Sequence, residues 1–427
     1  MQGYIQQNFL RQIRHTLGGV QMSVFASTDI LLPQIESLEA WSVVACDQFT
    51  SQPEYWERVR NFVGDKPSTI HMIFPEAELE CDREERIAQI NKAMQDYVEQ
   101  GIFHEYSDCY IYIERTMSNG TIRKGLVGVV DLEAYDYSSN ATSEIRATEK
   151  TVVERIPPRM TIRREAILEL PHILVFCDDE KKELLETVSN KKDTLEMLYD
   201  FDLMEDGGHI TGWLVQGKLV SEFDIKFEAY ENSRKARNEM VLAMGDGNHS
   251  LATAKACYEE LKASAPDKDW SGHPARYALI ELENIHDEAQ EFEPIHRIVT
   301  NVDVETLLIE LRQSICANEG MEITCCVGEK EESLFLDKEL GSLPVGVLQK
   351  FLDDFLENNQ GEIDYIHGED VLKDLVKNEK SVGFIVPTID KTELFSGISK
   401  DGVLPRKTFS MGYAQEKRYY LECRKIK

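Results

Sequence analysis

Apolar and polar residues alternate along the chain with the periods of both strands and helices, which predicts an α/β (α+β) fold. Residues 109–115 and 123–131 have the two-residue period of strands, and Asn119-Gly120 between them predicts a β-hairpin. An apolar residue at every third or fourth position predicts a helix over 84–100. We therefore expect mixed sheets flanked by helices.

Other segments continue this mixed pattern without an internal repeat. The remaining predicted strands are 68–75, 171–177, 240–244, 275–283, 322–327 and 381–387, and the remaining predicted helices are 181–200, 251–261, 304–311 and 345–358. A chain of 427 residues is too long for one ordinary core. We expect an N-terminal α/β region over 1–235, a strand, loop and helix over 236–300 that complete its core, and a C-terminal α/β region over 301–427.

The balance of charge excludes one class of partner. The chain has 77 acidic and 47 basic residues, and its formal net charge is −30. Such a charge repels the phosphate backbone of DNA and RNA, so nucleic acid is not expected as a partner. A local basic pocket is still compatible with a small phosphorylated metabolite.

The sequence has no feature of a membrane or secreted protein. No apolar run is long enough to span a membrane, and residues 1–20 lack the apolar block of a signal peptide. The nine cysteines include no Cys-x-x-Cys pair, which is typical of free thiols in a reducing compartment. We expect a cytoplasmic protein with no membrane partner, and the sequence gives no indication of its oligomeric state.

The most informative segment joins the strand predicted at 240–244 to the helix predicted at 251–261. The loop between them is Gly245-Asp246-Gly247-Asn248-His249-Ser250. A loop in this position directs backbone N–H groups and the positive end of the helix at an anion, and its two glycines allow a ligand to approach closely. The loop is therefore the candidate active site. The alternative is a tight turn that only starts the helix.

Each side chain of this loop has an expected role. Asp246 is expected to hold a metal ion or to orient a hydroxyl group, and His249 is expected to carry a proton near neutral pH. Ser250 is expected to cap the following helix and to donate a hydrogen bond to phosphate. The rest of the phosphate-binding or substrate-binding set within the loop is Gly245, Gly247 and Asn248.

Five motifs, in this order, resemble those of the domain-of-unknown-function 1015 family of bacterial and archaeal proteins. They are ACDQFTSQPEYW at 45–56, IRATEKT at 145–151, GDGNHSLATA at 245–254, EPIHR at 293–297 and LPRKTF at 404–409. The resemblance extends over most of the chain. The family name itself assigns no activity.

A more distant similarity concerns the loop. Many family members have Asp-Gly-His-His-Arg there, which is similar to the helix-opening loop of the ParB/sulfiredoxin superfamily, including an ADP-dependent serine kinase. This similarity implies a ParB/sulfiredoxin-like core that holds a phosphate at the start of the helix. Asn248 replaces the first His here, and Ser250 replaces the Arg. Because the bidentate phosphate contact of that arginine is lost, another basic residue must supply the charge.

Two segments of the chain offer that charge. Six cations lie within residues 146–164, beginning with Arg146, and Arg406 and Lys407 stand in the last motif. We expect Arg146 and Arg406 to reach a ligand phosphate, with Lys407 beside them. The alternative for any one of these arginines is a solvated face.

The motifs at 145–151 and 293–297 hold the remaining candidates. Glu149 matches the acid of the family motif and is expected to be a general base, or else to pair with a neighbouring cation. Thr148 and Thr151 are expected to bind substrate. His296 and Arg297 belong to the same expected set, and their alternative is a structural role at the end of a strand.

Three classes of function remain open. The first is a small-molecule phosphotransferase or phosphatase that acts on serine or phosphoserine, with ADP or ATP as nucleotide and Mg²⁺ as the metal that neutralises the transferred group. The second is a non-enzymatic nucleotide-binding regulatory protein. The third is a structural or interaction protein, which requires an exposed apolar or repeated surface that the sequence does not show. The chain has no Gly-x-Ser-x-Gly elbow, P-loop or zinc-hydrolase histidine spacing.

Overall fold

The computed structural model describes residues 23–78, 83–378, 380–412 and 414–427. Residues 1–20, in which the sequence shows no signal-peptide block, lie outside these ranges. The strands in chain order are β1 (Phe25–Ala26), β2 (Thr28–Pro33), β3 (Val43–Val44), β4 (Phe103–Thr116), β5 (Ile122–Asp131), β6 (Tyr135–Asp136), β7 (Ile145–Arg146), β8 (Leu168–Glu169), β9 (Leu174–Cys177), β10 (Glu196–Asp202), β11 (His209–Val215), β12 (Leu242–Asp246), β13 (Tyr277–Asn284), β14 (Phe292–Thr300), β15 (Cys316–Val327), β16 (Lys330–Leu336), β17 (Glu362–His367), β18 (Val382–Ile385), β19 (Phe409–Met411), β20 (Tyr419–Tyr420) and β21 (Arg424–Lys425).

The α-helices of the described ranges are interspersed with these strands. They are α1 (Leu38–Trp41), α2 (Pro53–Val63), α3 (Arg83–Glu99), α4 (Ile156–Glu165), α5 (Glu186–Ser189), α6 (Lys218–Ala236), α7 (Asn248–Ser264), α8 (Val304–Ser314), α9 (Pro344–Asn358), α10 (Glu369–Leu375) and α11 (Lys391–Asp401). None of the helices in the described part of the chain is long and apolar enough to cross a membrane. The expected α/β class, with mixed sheets flanked by helices, is confirmed.

The larger sheet has eleven strands among the described residues, in the order β10-β11-β4-β5-β13-β9-β12-β7-β6, with β1 on β5 and β2 on β4. It is mixed, because β12 is parallel to β7 and antiparallel to β9. The smaller sheet has the order β16-β15-β18-β14-β17, with β19 on β14. Strands β12 and β13, from the segment 236–300, lie inside the larger sheet, while the proposed domain boundaries stay predictions.

Apolar cores cover both faces of the larger sheet. Along β13, Leu279 contributes to the core that α2 and α3 cover, whereas Ile280 and Leu282 contribute to the core beneath α6 and α7. This alternation follows from the two-residue period of a strand. A third core joins Leu174 and Phe176 of β9 to the smaller sheet. The loop after β12 therefore lies where these cores meet.

The last residues of the chain, 414–427, form a segment that we call the C-terminal strap. Its strand β20 pairs with β3, and β21 pairs with β8. The Arg115 guanidinium donates to the carbonyl groups of three strap residues, Gln415, Glu416 and Lys417. The strap also reaches the end of β12, where the Lys417 ammonium lies 3.4 Å from Asp246 Oδ2.

Most of the predicted elements are confirmed. The hairpin consists of β4 and β5, with Arg115 opposite Arg123 and Gly120 at a φ of 82° in the turn. The other confirmed helices and strands are α3, α7, α8, α9, β9, β12, β13, β15 and β18.

Two predictions of secondary structure are wrong. The segment 68–75 holds only a 3₁₀ turn at Thr69–His71, because the Ser68 hydroxyl accepts from the Ile70 N–H and the Thr69 hydroxyl donates to the Trp41 carbonyl. These side-chain bonds compete with strand pairing. The segment 181–200 contains the short α5, a 3₁₀ turn and the start of β10, since pairing of β10 with β11 overrides the helical spacing.

Candidate functional site

The loop after β12 has a backbone that only glycine accommodates easily. Gly247 adopts the left-handed conformation with a φ of 81°, and a Cβ atom there would lie 2.9 Å from the His172 carbonyl oxygen. A Cβ atom on Gly245 would lie 2.9 Å from the Phe176 ring. The two glycines let the chain turn tightly against β9, which fits their expected role in the loop.

Helix α7 begins earlier than the sequence pattern suggests. Its first residue is Asn248 and its N-cap is Gly247, so Ser250 lies within the first turn and the expectation that Ser250 caps the helix is wrong. The Ser250 and Leu251 N–H groups both donate to the Gly247 carbonyl. The left-handed Gly247 causes this early start, because it turns the chain into the helix directly after Asp246.

Asp246 ends β12 at the mouth of the helix. Its Oδ1 accepts the Gly247 N–H at 2.7 Å, and its Oδ2 lies 3.4 Å from the Lys417 ammonium of the strap. Burial raises the pKa of Asp246, but Lys417 and the Gly247 N–H outweigh burial and hold it below its ordinary value. Asp246 is therefore ionised at neutral pH, beside a cation that the sequence analysis did not identify.

Glu149 is brought next to Asp246 by the parallel pairing of β7 with β12. Ala243 is opposite Arg146, and the chain that follows β7 then bridges to Leu404. Glu149 Oε1 accepts the Thr408 N–H at 3.1 Å. Burial raises the pKa of Glu149 above its ordinary value, and the charge of Asp246 acts in the same direction. The site therefore holds one ionised carboxylate and one that retains a proton more readily.

His249 projects from the first turn of α7 toward the segment after the 145–151 motif. Its Nε2 accepts the Val152 N–H at 3.3 Å. Burial lowers its pKa to about 4, and Arg159 and Arg155 act in the same direction. The ring is neutral at pH 7 in the free protein, so its use as a proton carrier stays a prediction.

His172 is a second histidine of the site and was missed by sequence analysis. Its Nε2 shares a short hydrogen bond with the Ser250 hydroxyl, and its ring packs edge-on against Tyr420 at 5.2 Å between centroids. Burial lowers its pKa. No sequence motif marks His172, because it precedes β9 and meets the loop only through the sheet.

Several buried polar atoms around the loop lack a hydrogen-bond partner among the described residues. They are Thr151 Oγ1, His172 Nδ1 and Asn248 Oδ1, from three segments that each contact the first turn of α7. Buried polar groups are normally satisfied, and those that are not indicate strain or a ligand. Because all three belong to segments at one helix turn, that turn is the candidate place for a ligand.

The basic candidates are only partly brought to the loop. Arg146 lies in β7, and its Nε donates to the Ser143 carbonyl at 2.8 Å. Arg406 is exposed, and its Nε donates to the Tyr365 hydroxyl at 3.2 Å. Lys407 acts on the site electrostatically, since its charge lowers the pKa of Glu149 against the burial that raises it. The contacts of Arg146 and Arg406 to a ligand phosphate stay predictions.

The remaining candidates belong to the surrounding framework. Thr148 is buried, and its carbonyl accepts the Leu404 N–H at 2.7 Å. His296 is buried, and its Nδ1 accepts the Val386 N–H at 3.4 Å. Arg297 is fully buried in the smaller sheet and donates to Gln349, and burial lowers its pKa to about 10. The charge of Glu149 acts on Arg297, so Arg297 lies within electrostatic reach of the site.

A cavity of about 360 Å³ opens beside the first turn of α7. Ser250, Thr253 and His172 form its wall toward the loop, and Arg155 and Arg159 of the 146–164 stretch line another wall. Across the described residues, no group of three or more His, Cys, Asp or Glu side chains is arranged to hold a metal ion.

Residues 29–425 match the family described as "Protein of unknown function (DUF1015)". The chain belongs to the DUF1015 family. This match confirms the resemblance carried by the five motifs. No curated protein matches the sequence significantly.

Several solved structures are similar to this DUF1015 protein at low identity. SbnI with a C-terminal truncation from Staphylococcus aureus is 14% identical, with 67% of this chain and 83% of that chain covered and a TM-score of 0.35. Free serine kinase in complex with AMP is 13% identical, with 70% and 90% covered and a TM-score of 0.35. A conserved hypothetical protein from Pyrococcus furiosus is 13% identical, with 69% and 90% covered and a TM-score of 0.33. Scores at this level do not transfer a ligand or an activity to this chain.

Proposed function

We propose that the protein is a phosphotransferase or phosphatase that acts on a small phosphorylated metabolite at the first turn of α7. The observation that supports this most directly is the convergence of three unpartnered buried polar atoms, on Thr151, His172 and Asn248, at that turn. Two carboxyl groups lie beside it: Asp246, whose pKa is lowered, and Glu149, whose pKa is raised.

The phosphate is proposed to bind at the amino end of the helix. The first N–H groups of a helix have no partner within it, and its dipole favours an anion there. The Thr151 hydroxyl is a further hydrogen-bond donor in this place, and the Asn248 Oδ1 atom is proposed to accept from a hydroxyl or amino group of the ligand. Lys417, with 16% of its side chain exposed, supplies the charge that the loop lost when serine replaced the family's arginine.

The two carboxyl groups are proposed to divide the chemistry. Glu149, whose raised pKa lies nearer to neutrality, accepts the proton of the attacking hydroxyl group or water. The oxygen of that attacking group forms a bond to phosphorus at the same time. The bond from phosphorus to the leaving oxygen breaks in the same transfer, and a proton from solvent neutralises that oxygen. Asp246 orients the acceptor, and Lys417 neutralises charge on the transferred group.

The acceptor and the nucleotide of this proposed reaction are assigned by resemblance to the ADP-dependent serine kinase. Serine is proposed as the acceptor, phosphoserine as the corresponding ester, and ADP or ATP as the nucleotide. Mg²⁺ fits the chemistry of the donor set, since it is commonly held by one or two carboxylates together with substrate phosphates. Asp246 is the residue that would hold it together with phosphate oxygens of the substrate, and it would neutralise charge on the phosphoryl group.

The test combines ligand binding with turnover. Thermal unfolding of the full chain is measured with ADP, ATP, phosphoserine and inorganic phosphate, each with and without Mg²⁺. A ligand at about 100 times its dissociation constant stabilises the fold by about 2.7 kcal/mol. Phosphoserine formation and phosphate release are then followed by ³¹P nuclear magnetic resonance.

Matched variants assign the signal to the site. Asp246→Asn should abolish turnover and leave the fold intact, whereas Asp267→Asn, at an exposed position in the turn after α7, should change neither. If nucleotide binds and no phosphate compound is turned over, the protein is a nucleotide-binding regulator rather than an enzyme. If none of the compounds shifts the unfolding temperature, both functions are wrong.

A further inference from the structure

The cavity beside α7 is lined by more apolar side chains than the polar amino end of the helix. Its walls include the apolar side chains of Met72, Phe74, Ile162 and Leu168. A volume of about 360 Å³ falls within the range of pockets that bind small organic ligands, and such pockets are mostly apolar with few polar groups. A phosphate group alone would fill only a fraction of this space.

The charged side chains of the cavity are largely neutralised by the protein itself. Arg159 forms an ion pair with Glu76, and Arg163 forms one with Glu169. All four side chains are less than a quarter exposed. Because these four charges already have partners, the charge that the cavity offers to a ligand comes from its other charged residues, Arg83, Glu154 and Arg155. Exposed Arg155 lies at its edge.

The cavity borders the candidate active site, because Ser250 and His172 line it. Ser250 lines the cavity and bonds to His172, whose pKa responds to the charge of Asp246. Arg155 and Arg159 line the cavity and lower the pKa of His249 in the first turn of α7. The shared residues Ser250 and His172 place the cavity next to the first turn of α7, at the distance that one ligand would need to put its phosphate at the helix and its remaining atoms in the cavity.

We propose that the cavity binds an apolar organic group of the phosphorylated substrate, so that a phosphate ester of an aromatic or aliphatic alcohol, in place of a nucleotide or phosphoserine, is the phosphate donor of the proposed reaction. His172 Nδ1, which is buried and unpartnered on the cavity wall, is placed to bond to one polar atom of that group. The acceptor then occupies the polar end, near Asp246 and Glu149. The phosphate end of this inference rests on the proposed function.

The first measurement needs no variant. Dissociation constants of inorganic phosphate, methyl phosphate, butyl phosphate and phenyl phosphate are measured by calorimetry on the full chain. Affinity should increase with the apolar area of the ester, and phenyl phosphate should bind at least about tenfold more tightly than inorganic phosphate. Equal affinity for all four compounds overturns the inference and leaves the proposed phosphate site standing.

The second measurement fills the cavity. Ile162→Trp places a larger side chain in the cavity from α4 and leaves the loop and the strap unchanged. It should weaken phenyl phosphate about tenfold or more and leave inorganic phosphate within about twofold. The control Ile225→Trp changes the same residue types at a site that is 67% exposed, and it should alter neither affinity.

The outcomes separate the two proposals. If Ile162→Trp weakens both compounds equally, or neither, the cavity does not hold the organic group and the inference is wrong. If Ile162→Trp does not fold, the ester series on the unmodified protein still decides. If no phosphate compound binds the unmodified protein, the proposed function fails together with the inference.

Discussion

The ion pair between Asp246 and Lys417 can be tested by a double-mutant cycle. Asp246→Asn removes the negative charge and keeps an oxygen that accepts the Gly247 N–H, and Lys417→Met removes the positive charge and keeps the length of the side chain. The double variant completes the cycle. Because each change removes the charge pair without deleting the backbone bond, the coupling free energy isolates the pair.

The structure sets the expected size of this coupling. Two unit charges 3.4 Å apart interact by about 5 kcal/mol at an effective dielectric constant of about 20, and by about 1 kcal/mol in bulk water. The Lys417 side chain is 16% exposed and the Asp246 side chain is 27% exposed, so the site lies between these limits. We expect a coupling free energy of about 2 kcal/mol in the free energy of unfolding.

The assay is urea unfolding followed by both circular dichroism and tryptophan fluorescence. Because the chain contains several cores, the two signals must give coincident transitions before a single free energy is extracted. The exposed pair Lys92 and Asp96, whose side chains are 72% and 40% exposed, is the control and should give less than about 1 kcal/mol. A coupling below about 0.5 kcal/mol for Asp246 and Lys417 would refute the assigned pair.

The same pair predicts how this stabilisation changes with pH. The pKa of Asp246 is held below its ordinary value of 3.8 in the folded protein, mainly by Lys417 acting against burial. The stabilisation by this ion pair is therefore fully present above the pKa that Asp246 has in the unfolded chain. It is lost as the pH falls through the lower pKa that Asp246 has in the folded protein. The destabilisation caused by Lys417→Met should be constant from pH 7 to about 5 and should shrink below 3.8.

Three further predictions follow from the surrounding contacts. Glu149→Gln should lower kcat for phosphoryl transfer about 100-fold or more, because it removes the proposed base. It should also remove the rise of kcat with pH that titration of a base with a raised pKa produces. A kcat–pH profile checks this, and an unchanged profile would exclude Glu149 as the base. Gly247→Ala should destabilise the fold by about 1–3 kcal/mol, because alanine is strained at a φ of 81°, whereas Gly272→Ala, in open space, should leave the unfolding temperature unchanged. Arg115→Lys keeps the positive charge but loses most hydrogen bonds to the strap carbonyls. Chymotrypsin should therefore cleave the strap about tenfold faster or more in this variant than in the unmodified protein. Equal cleavage rates would contradict the anchoring role of Arg115.

Local sequence patterns were sufficient for elements whose structure depends on local signals. Asn119-Gly120 indicated the hairpin because the turn needs a positive φ, which Gly120 supplies at 82°. The strand, glycine loop and helix around Asp246 were found in the same way, although the left-handed Gly247 moves the helix start to Asn248. The segment 181–200 failed in its last five residues because pairing with β11, which no local pattern encodes, makes them a strand.

The polar partners of the site could not be predicted because they come from distant parts of the chain. His172 reaches Ser250 only because β9 pairs with β12, and Lys417 reaches Asp246 only because Arg115 holds the strap. The basic stretch at 146–164 was identified, but Arg159 in it is paired with an acid from elsewhere in the chain. Such pairings depend on topology, which a single sequence does not reveal.

The position of the strap also has a consequence for biosynthesis. A ribosome makes a chain from its amino end, so residues 414–427 emerge after every other component of the site. A product that stops near residue 400 contains the loop and Glu149 but lacks the Lys417 cation and the Tyr420 ring that packs on His172. Such a truncated product has Asp246 without its ion-pair partner and His172 without the ring packed against it, so the proposed site is incomplete until the strap is made.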